Sequence, residues 1–172
     1  MTDDDARANE SIAYIALGSN LGDRERHLGA ALAALRALRG VRGVELSRVY
    51  ETDPVGPGEQ GPYLNAVARV RTDLPPRALL DRLLAIERSE GRVRGPERNA
   101  SRTLDLDLLL YGEREIDEPG LVVPHPRIAE RPFVLEPLCD LAPDLVLPGA
   151  AASVSALAAA VRDPAAVRVR ET

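Results

Sequence analysis

RVRGPERNASRTLDLDLLLYG, residues 92–112, joins two unlike chemistries end to end. Its first half is a loop punctuated by Pro, Gly and Ser that carries Arg92, Arg94, Arg98 and Arg102. Its second half, TLDLDLLLY, has the apolar density of a strand. Strand side chains alternate with a period of two. Asp105 and Asp107 therefore share one face, about 6–7 Å apart, and Leu104, Leu106 and Leu108 take the other. Aspartate is depleted in strands, so two within one apolar run require a reason. Paired carboxylates on a rigid strand suit a hard cation such as Mg2+, which binds one or two carboxylates together with phosphate oxygens. The arginines supply planar forks for phosphate oxygens. Together they point to phosphoryl or diphosphoryl transfer, where catalysis is mostly positioning and charge neutralisation. The plainer alternative is a half-exposed strand with solvated aspartates beside a basic surface loop, because a three-residue motif recurs by chance.

Upstream, Pro75 and Pro76 start a helix to about Ser89, with Leu79, Leu80, Leu83, Leu84 and Ile86 as its apolar stripe. Glu87 lies near its C-terminal end, an unfavourable place for an acid against the helix dipole; a local task or the neighbouring Arg88 accounts for it. Before this helix, YLNAVARVRT (63–72) alternates as a strand, with Leu64, Ala66 and Ala68 on one side and Asn65, Val67 and Arg69 on the other. Tyr63 and Asn65 place a phenol and an amide beside DPVGPGEQGP (53–62), whose three Pro and three Gly exclude helix and central strand. An amide can pair with a heterocycle edge and an aromatic can stack on it; a turn Asn and a core Tyr is the alternative. GVELSRVYET (43–52) reads as one strand. A helix capped by Asp23 runs to about Leu38, with His27 expected in solvent. SIAYIAL (11–17) is a buried strand, and GSNLGD after it is a strand-to-helix turn, since it lacks a phosphate-loop pattern.

The order is β-α-β-β-α-β, the split pattern of an α+β, ferredoxin-like domain: an antiparallel sheet with two helices on one face. Downstream come a polar turn, EREIDEPG, and a proline-rich segment carrying His125, Arg127, Arg131 and Phe133. These are C-terminal additions, with a short helix over 133–138 and an Ala-rich helix over 151–161. VRVRET at the end is either an edge strand or loose chain. A rigid, proline-bracketed His and Arg can bind phosphate; a wrapped surface loop is the alternative.

At 172 residues the chain is long enough to bury a core without staples. Residues 1–10 read as a disordered tail and 11–172 as a single domain. The net charge of −5 gives no global field for nucleic acid. The basic charge is local, with five arginines against Glu90 and Glu97 between Arg88 and Arg102. Every basic residue is arginine, which rules out a P-loop or Schiff-base lysine. Cys139 alone excludes an internal disulfide. No stretch reads as a signal peptide or membrane span, and the cytoplasm is the expected compartment.

These pieces, in this order, resemble the 6-hydroxymethyl-7,8-dihydropterin pyrophosphokinase family of folate biosynthesis. The resemblance runs from Ala13 to about Pro148 through YIALGSNLGD, YETDPVGPGEQGPYLN, GRVR, RTLDLDLLLYG and VPHPRIAERPFVLEPL. It implies diphosphoryl transfer from ATP to the pterin hydroxymethyl group, giving AMP and the pterin diphosphate. It implies that Asp105 and Asp107 hold two Mg2+ ions, and that Arg92 and Arg102, with Arg94 nearby, act on ATP from a closing loop. Glu87, Leu108, His125 and Arg131 fall at ATP-contact positions, and Pro54, Val55, Tyr63, Asn65 and Phe133 at the pterin pocket. The expected partners are the small-molecule substrates ATP and 6-hydroxymethyl-7,8-dihydropterin, with neither nucleic acid nor membrane, and the expected state is a monomer. Two departures stand out. Asn99, Ala100 and Ser101 replace a tryptophan-glycine-proline run of many members, and Gly120 stands where some carry another arginine. A binding module that lost the chemistry would lack an aspartate or the loop arginines, and all are present. An RNA-binding module would show exposed aromatics and a basic face, against 3% aromatic residues and an acidic chain.

Overall fold

The sheet is built outward from β1 (Ser11–Ser19), an apolar nine-residue strand. β1 pairs antiparallel with β4 (Tyr63–Thr72) on one side and with β5 (Asp105–Tyr111) on the other. The computed structural model describes residues 10–54, 60–93 and 101–171. Residues 1–9 of the tail expected over 1–10, and Val55, Arg94, Arg98, Asn99 and Ala100, lie outside the described residues. The far edge of β4 carries two short strands, β2 (Val41–Leu46) and β3 (Tyr50–Thr52). Counting these as one, the spatial order is fourth, first, third, second, and every pairing is antiparallel. This is the α+β, ferredoxin-like arrangement.

The single strand expected over 43–52 is two strands, and Ser47 is the reason. Its N–H donates to the Val67 carbonyl at 2.9 Å while its Oγ accepts from the Val67 N–H at 2.9 Å. One residue thus takes both of Val67's bonds and breaks the ladder. Arg48 then turns outward to Asp140.

Helices α1 (Arg24–Ala37) and α2 (Pro76–Ser89) cover one face. Leu28, Leu35, Leu79 and Leu83 pack there against Ile15, Leu17 and Leu106. Burying each such side chain stabilises the fold by about 1.5–3 kcal/mol. His27 is a correction to the sequence reading. It is buried on α1 with Nδ1 2.9 Å from Glu90 Oε2, because it lies on the helix face turned toward the end of α2.

The other face is covered only in part, by α3 (Pro132–Leu141) and α4 (Val154–Val161). Two short strands, β6 (Ile116–Glu118) and β7 (Leu121–Val123), form a hairpin where a polar turn was expected. Pro119-Gly120 makes its turn, with Gly120 at φ 74°. Near the C-terminus, β8 (Val167–Val169) adds an edge strand to β3.

A one-residue shift between β1 and β5 falls at Tyr14/Ile15. It lets Leu109 and Leu110 both face the α3–α4 side and returns Tyr111 to the α1–α2 side. The outer edge of β5 is closed by side chain and loop. Glu87 Oε1 accepts from the Leu106 N–H at 2.8 Å, and the His125 N–H donates to the Leu109 carbonyl at 2.9 Å. Glu87 is 1% exposed and also accepts from Arg92 Nη1 at 2.5 Å. Glu87→Ala leaves the Arg92 charge and the Leu106 N–H without this partner and should cost about 3–5 kcal/mol. Glu87→Gln keeps an acceptor for Leu106 and should cost clearly less. Urea denaturation of the three proteins checks the ranking; equal losses would mean that Glu87 only fills space.

Candidate active site

The uncovered end of the sheet is a cleft of about 640 Å3, within the usual range for small-molecule sites. Its floor follows from register. Gly18 of β1 stands opposite Asn65 of β4 and opposite Asp105 of β5. Ala16, two residues back, stands between Val67 and Asp107. The central strand thus shows only small side chains, and the groups on either side face each other across it. A Cβ on Gly18 would sit 3.1 Å from Asn65 Oδ1, tight contact that only glycine avoids.

On the β5 side, the carboxylate of Asp105 is held by two arginines. Arg92 Nη1 donates to Oδ1, and Arg102 Nη1 donates to Oδ2 at 2.7 Å. Burial pushes this carboxyl up, but Arg92 and Arg102 outweigh burial and hold it below the ordinary carboxylate range. Arg92 spans Asp105 and Glu87, so one guanidinium bridges two carboxylates of different elements. Asp107 behaves oppositely. Burial, and then the negative charge of Asp105, push it up to about 6, with Arg131 offsetting part of the rise. Two adjacent carboxylates thus sit in unlike states.

On the β4 side, Asn65 Nδ2 donates to Thr52 Oγ1 at 2.6 Å, which fixes the buried amide. The Tyr63 hydroxyl lies 3.2 Å from Gln60 Oε1. The α3 side supplies Arg131 and Phe133, with the guanidinium 5.7 Å from the ring centre. Pro132 at the first helical position sets this start. His125 lies within electrostatic reach of Arg131. Its Nδ1 accepts from the Arg127 N–H at 3.2 Å, leaving the proton of the neutral ring on Nε2. Burial, then Arg131 and Arg127, lower its pKa and keep it neutral.

The structure therefore brings Asp105, Asp107, Arg102, Arg131, Tyr63, Asn65 and Phe133 to one cleft. Arg92 reaches it through Asp105. Glu87 lies beneath the cleft and not on its wall. Leu108 turns its side chain into the opposite core, and Pro54 and His125 are not on the described walls. Val55 and Arg94 lie outside the described residues. Sequence reasoning missed Gly18 and Ala16. Their signal was the taper Tyr14, Ala16, Gly18 along one face of β1. It also missed Ala166 and Val167, which line the cleft from the entry to the C-terminal strand.

Among the described residues no cluster of three or more His, Cys, Asp or Glu could hold a metal ion. The donors are two carboxylates that repel each other. That set fits a hard divalent cation completed by phosphate and water oxygens, and does not fit a protein-enclosed metal.

A sequence model of the 7,8-dihydro-6-hydroxymethylpterin-pyrophosphokinase family matches residues 14–143. The chain is similar to the 2-amino-4-hydroxy-6-hydroxymethyldihydropteridine pyrophosphokinase of Pseudomonas aeruginosa. The two are 49% identical over 135 residues, covering 78% of this chain and 83% of that protein. The protein of the same name from Haemophilus influenzae is 48% identical over 136 residues, 79% and 84% of the two chains. Among solved structures, a Plasmodium falciparum HPPK-DHPS superposes with a TM-score of 0.69 at 14% identity. It covers 88% of this chain, which spans only 44% of that longer one, and the likeness is one of fold.

The raised pKa of Asp107 carries a stability consequence. Between the unfolded carboxylate value, about 4, and about 6, the folded state holds a proton that the unfolded chain has released. Without added metal, stability should therefore fall as pH rises through this window. Asp107→Asn should be more stable than the wild type above pH 6, with the gap closing toward pH 4. Thermal melts across pH 4–8 check this; a gap that does not change with pH would contradict it.

Proposed function

Since the chain belongs to the 7,8-dihydro-6-hydroxymethylpterin-pyrophosphokinase family, we propose that the cleft around Asp105 and Asp107 is where it performs that family's reaction. The enzyme transfers diphosphate from ATP to the hydroxymethyl group of 6-hydroxymethyl-7,8-dihydropterin in folate biosynthesis. The substrate oxygen bonds to the β-phosphorus, the bond between the α- and β-phosphates breaks, AMP leaves, and the hydroxyl proton goes to solvent. The observation that carries the site assignment is the row Asn65, Gly18, Asp105 across three strands. It sets an amide suited to a heterocycle edge beside carboxylates suited to phosphate-bound cations.

In this reading Asn65, fixed by Thr52, reads the amide-like edge of the pterin, and Tyr63 and Phe133 bound its ring faces. Pro54 and Val55 would complete that pocket. Asp105 and Asp107 would hold Mg2+ ions, whose chemistry is to neutralise the triphosphate and acidify the substrate hydroxyl. Arg92 and Arg102 hold Asp105 until phosphate oxygens offer better acceptors. A guanidinium pairs bidentately with phosphate, so these side chains can exchange a carboxylate for the triphosphate without leaving a charge bare. Arg131 supplies a further cation close enough to Asp107 to offset part of its raised pKa. Arg94, His125 and the main chain of Leu108, whose side chain is turned into the core, are assigned to ATP, His125 as a neutral Nε2–H donor. Glu87 acts from beneath, through Arg92. We place the reaction in the cytoplasm, in a monomer; no helix among the described residues is long and apolar enough to cross a membrane.

AMP formation from ATP with Mg2+ tests the reading. AMP should appear only when the pterin is present, and Asp107→Ala should abolish it with the fold intact. ADP in place of AMP, or full activity in Asp107→Ala, would refute it.

A further inference from the structure

The turn after β1 does more than lead into α1. Asn20 is buried, and both main-chain bonding groups of Arg102 end on it. The Asn20 N–H donates to the Arg102 carbonyl at 3.1 Å, and Asn20 Oδ1 accepts from the Arg102 N–H at 2.7 Å. Strand pairing between β1 and β5 stops at Gly18 and Asp105. These two bonds add a further rung in which a side-chain carbonyl stands in for a main-chain one. The residue so held is the one whose guanidinium grips Asp105 Oδ2.

The same turn meets the other substrate segment. The Asn20 carbonyl is 3.7 Å from where a Cβ on Gly61 would sit, and Arg24 Nη1 donates to the Pro62 carbonyl at 2.8 Å. Asn20 therefore stands between the C-terminal ends of the arginine-rich and proline-rich segments. Its Nδ2 is buried without a partner among the described residues, as are Ser19 Oγ and Thr103 Oγ1. An unpaired buried amide N–H is costly. Alanine would remove that cost, and the acceptor with it; the acceptor is what the amide contributes here.

We infer that Asn20 is a positioning residue for the transfer reaction, acting through Arg102. It fixes the Arg102 backbone, and so where the guanidinium can reach when it meets phosphate. The catalytic part of this inference rests on the role given to Arg102 above; the structural part stands on the two bonds alone.

The test compares Asn20→Ala, Asn20→Asp, Arg102→Ala and the double variant Asn20→Ala/Arg102→Ala. In Asn20→Ala the Arg102 amide should exchange about tenfold faster, while the β4 amides keep their protection. Asn20→Asp keeps the acceptor and should keep the Arg102 amide protected. In steady-state assays Asn20→Ala should lower kcat on the order of 10- to 100-fold with pterin affinity unchanged, and should add nothing in the Arg102→Ala background. Wild-type exchange at Arg102 in Asn20→Ala, or effects of the two substitutions that multiply, would overturn the inference. Wild-type kcat in Arg102→Ala would instead overturn the role of Arg102; amide exchange then decides the Asn20 contact on its own.

Discussion

A buried carboxylate, Glu87, ties the catalytic edge of this molecule to its core. It sits at the end of α2, where an acid opposes the helix dipole. It is kept there by the Leu106 N–H and the Arg92 guanidinium, which both donate to its Oε1. Through the first bond it closes the outer edge of β5, which pairs with β1 on its other side. Through the second it fixes the arginine that grips Asp105. A buried ion pair is not a cheap way to stabilise a fold. Its return here is geometric: helix, edge strand and arginine are locked in one arrangement, and the two aspartates are presented from a rigid element.

The opposite wall is fixed by neutral bonds. Asn65 is held by Thr52, Thr52 lies on β3, and β3 is backed by β8. Asp53, where the proline-rich segment begins, donates its N–H to the Ala166 carbonyl and pairs with Arg168 at 3.0 Å. The exposed ion pair contributes little by itself. The backbone pairing is what carries the C-terminal strand to the rim of the cleft. The family match ends at residue 143, so this part of the rim lies beyond it.

Much of this was legible in the sequence, for identifiable reasons. The paired aspartates stood out because they break an apolar run, and the strand period put them on one face. The order of elements gave the sheet, since turn chemistry and apolar periodicity agreed at each step. What was not legible depends on tertiary partners. Ser47 splits a strand only because Val67 lies opposite. His27 is buried only because α2 ends beside it at Glu90. Glu118-Pro119-Gly120 reads as a turn in either case, and only the packing of Leu121 and Val123 into the core makes a hairpin of it. Leu108 was placed at the site by resemblance, whereas strand alternation by itself puts its side chain in the opposite core, where it is found.

The central claim is that Arg92 and Arg102 occupy Asp105 until phosphate draws them away. Mn2+ binding followed by electron paramagnetic resonance, with and without a non-hydrolysable ATP analogue, addresses it directly. The account predicts that Arg92→Ala and Arg102→Ala bind Mn2+ more tightly than the wild type without nucleotide. With the analogue present, the order should reverse. Identical Mn2+ affinity in all three proteins without nucleotide would contradict it.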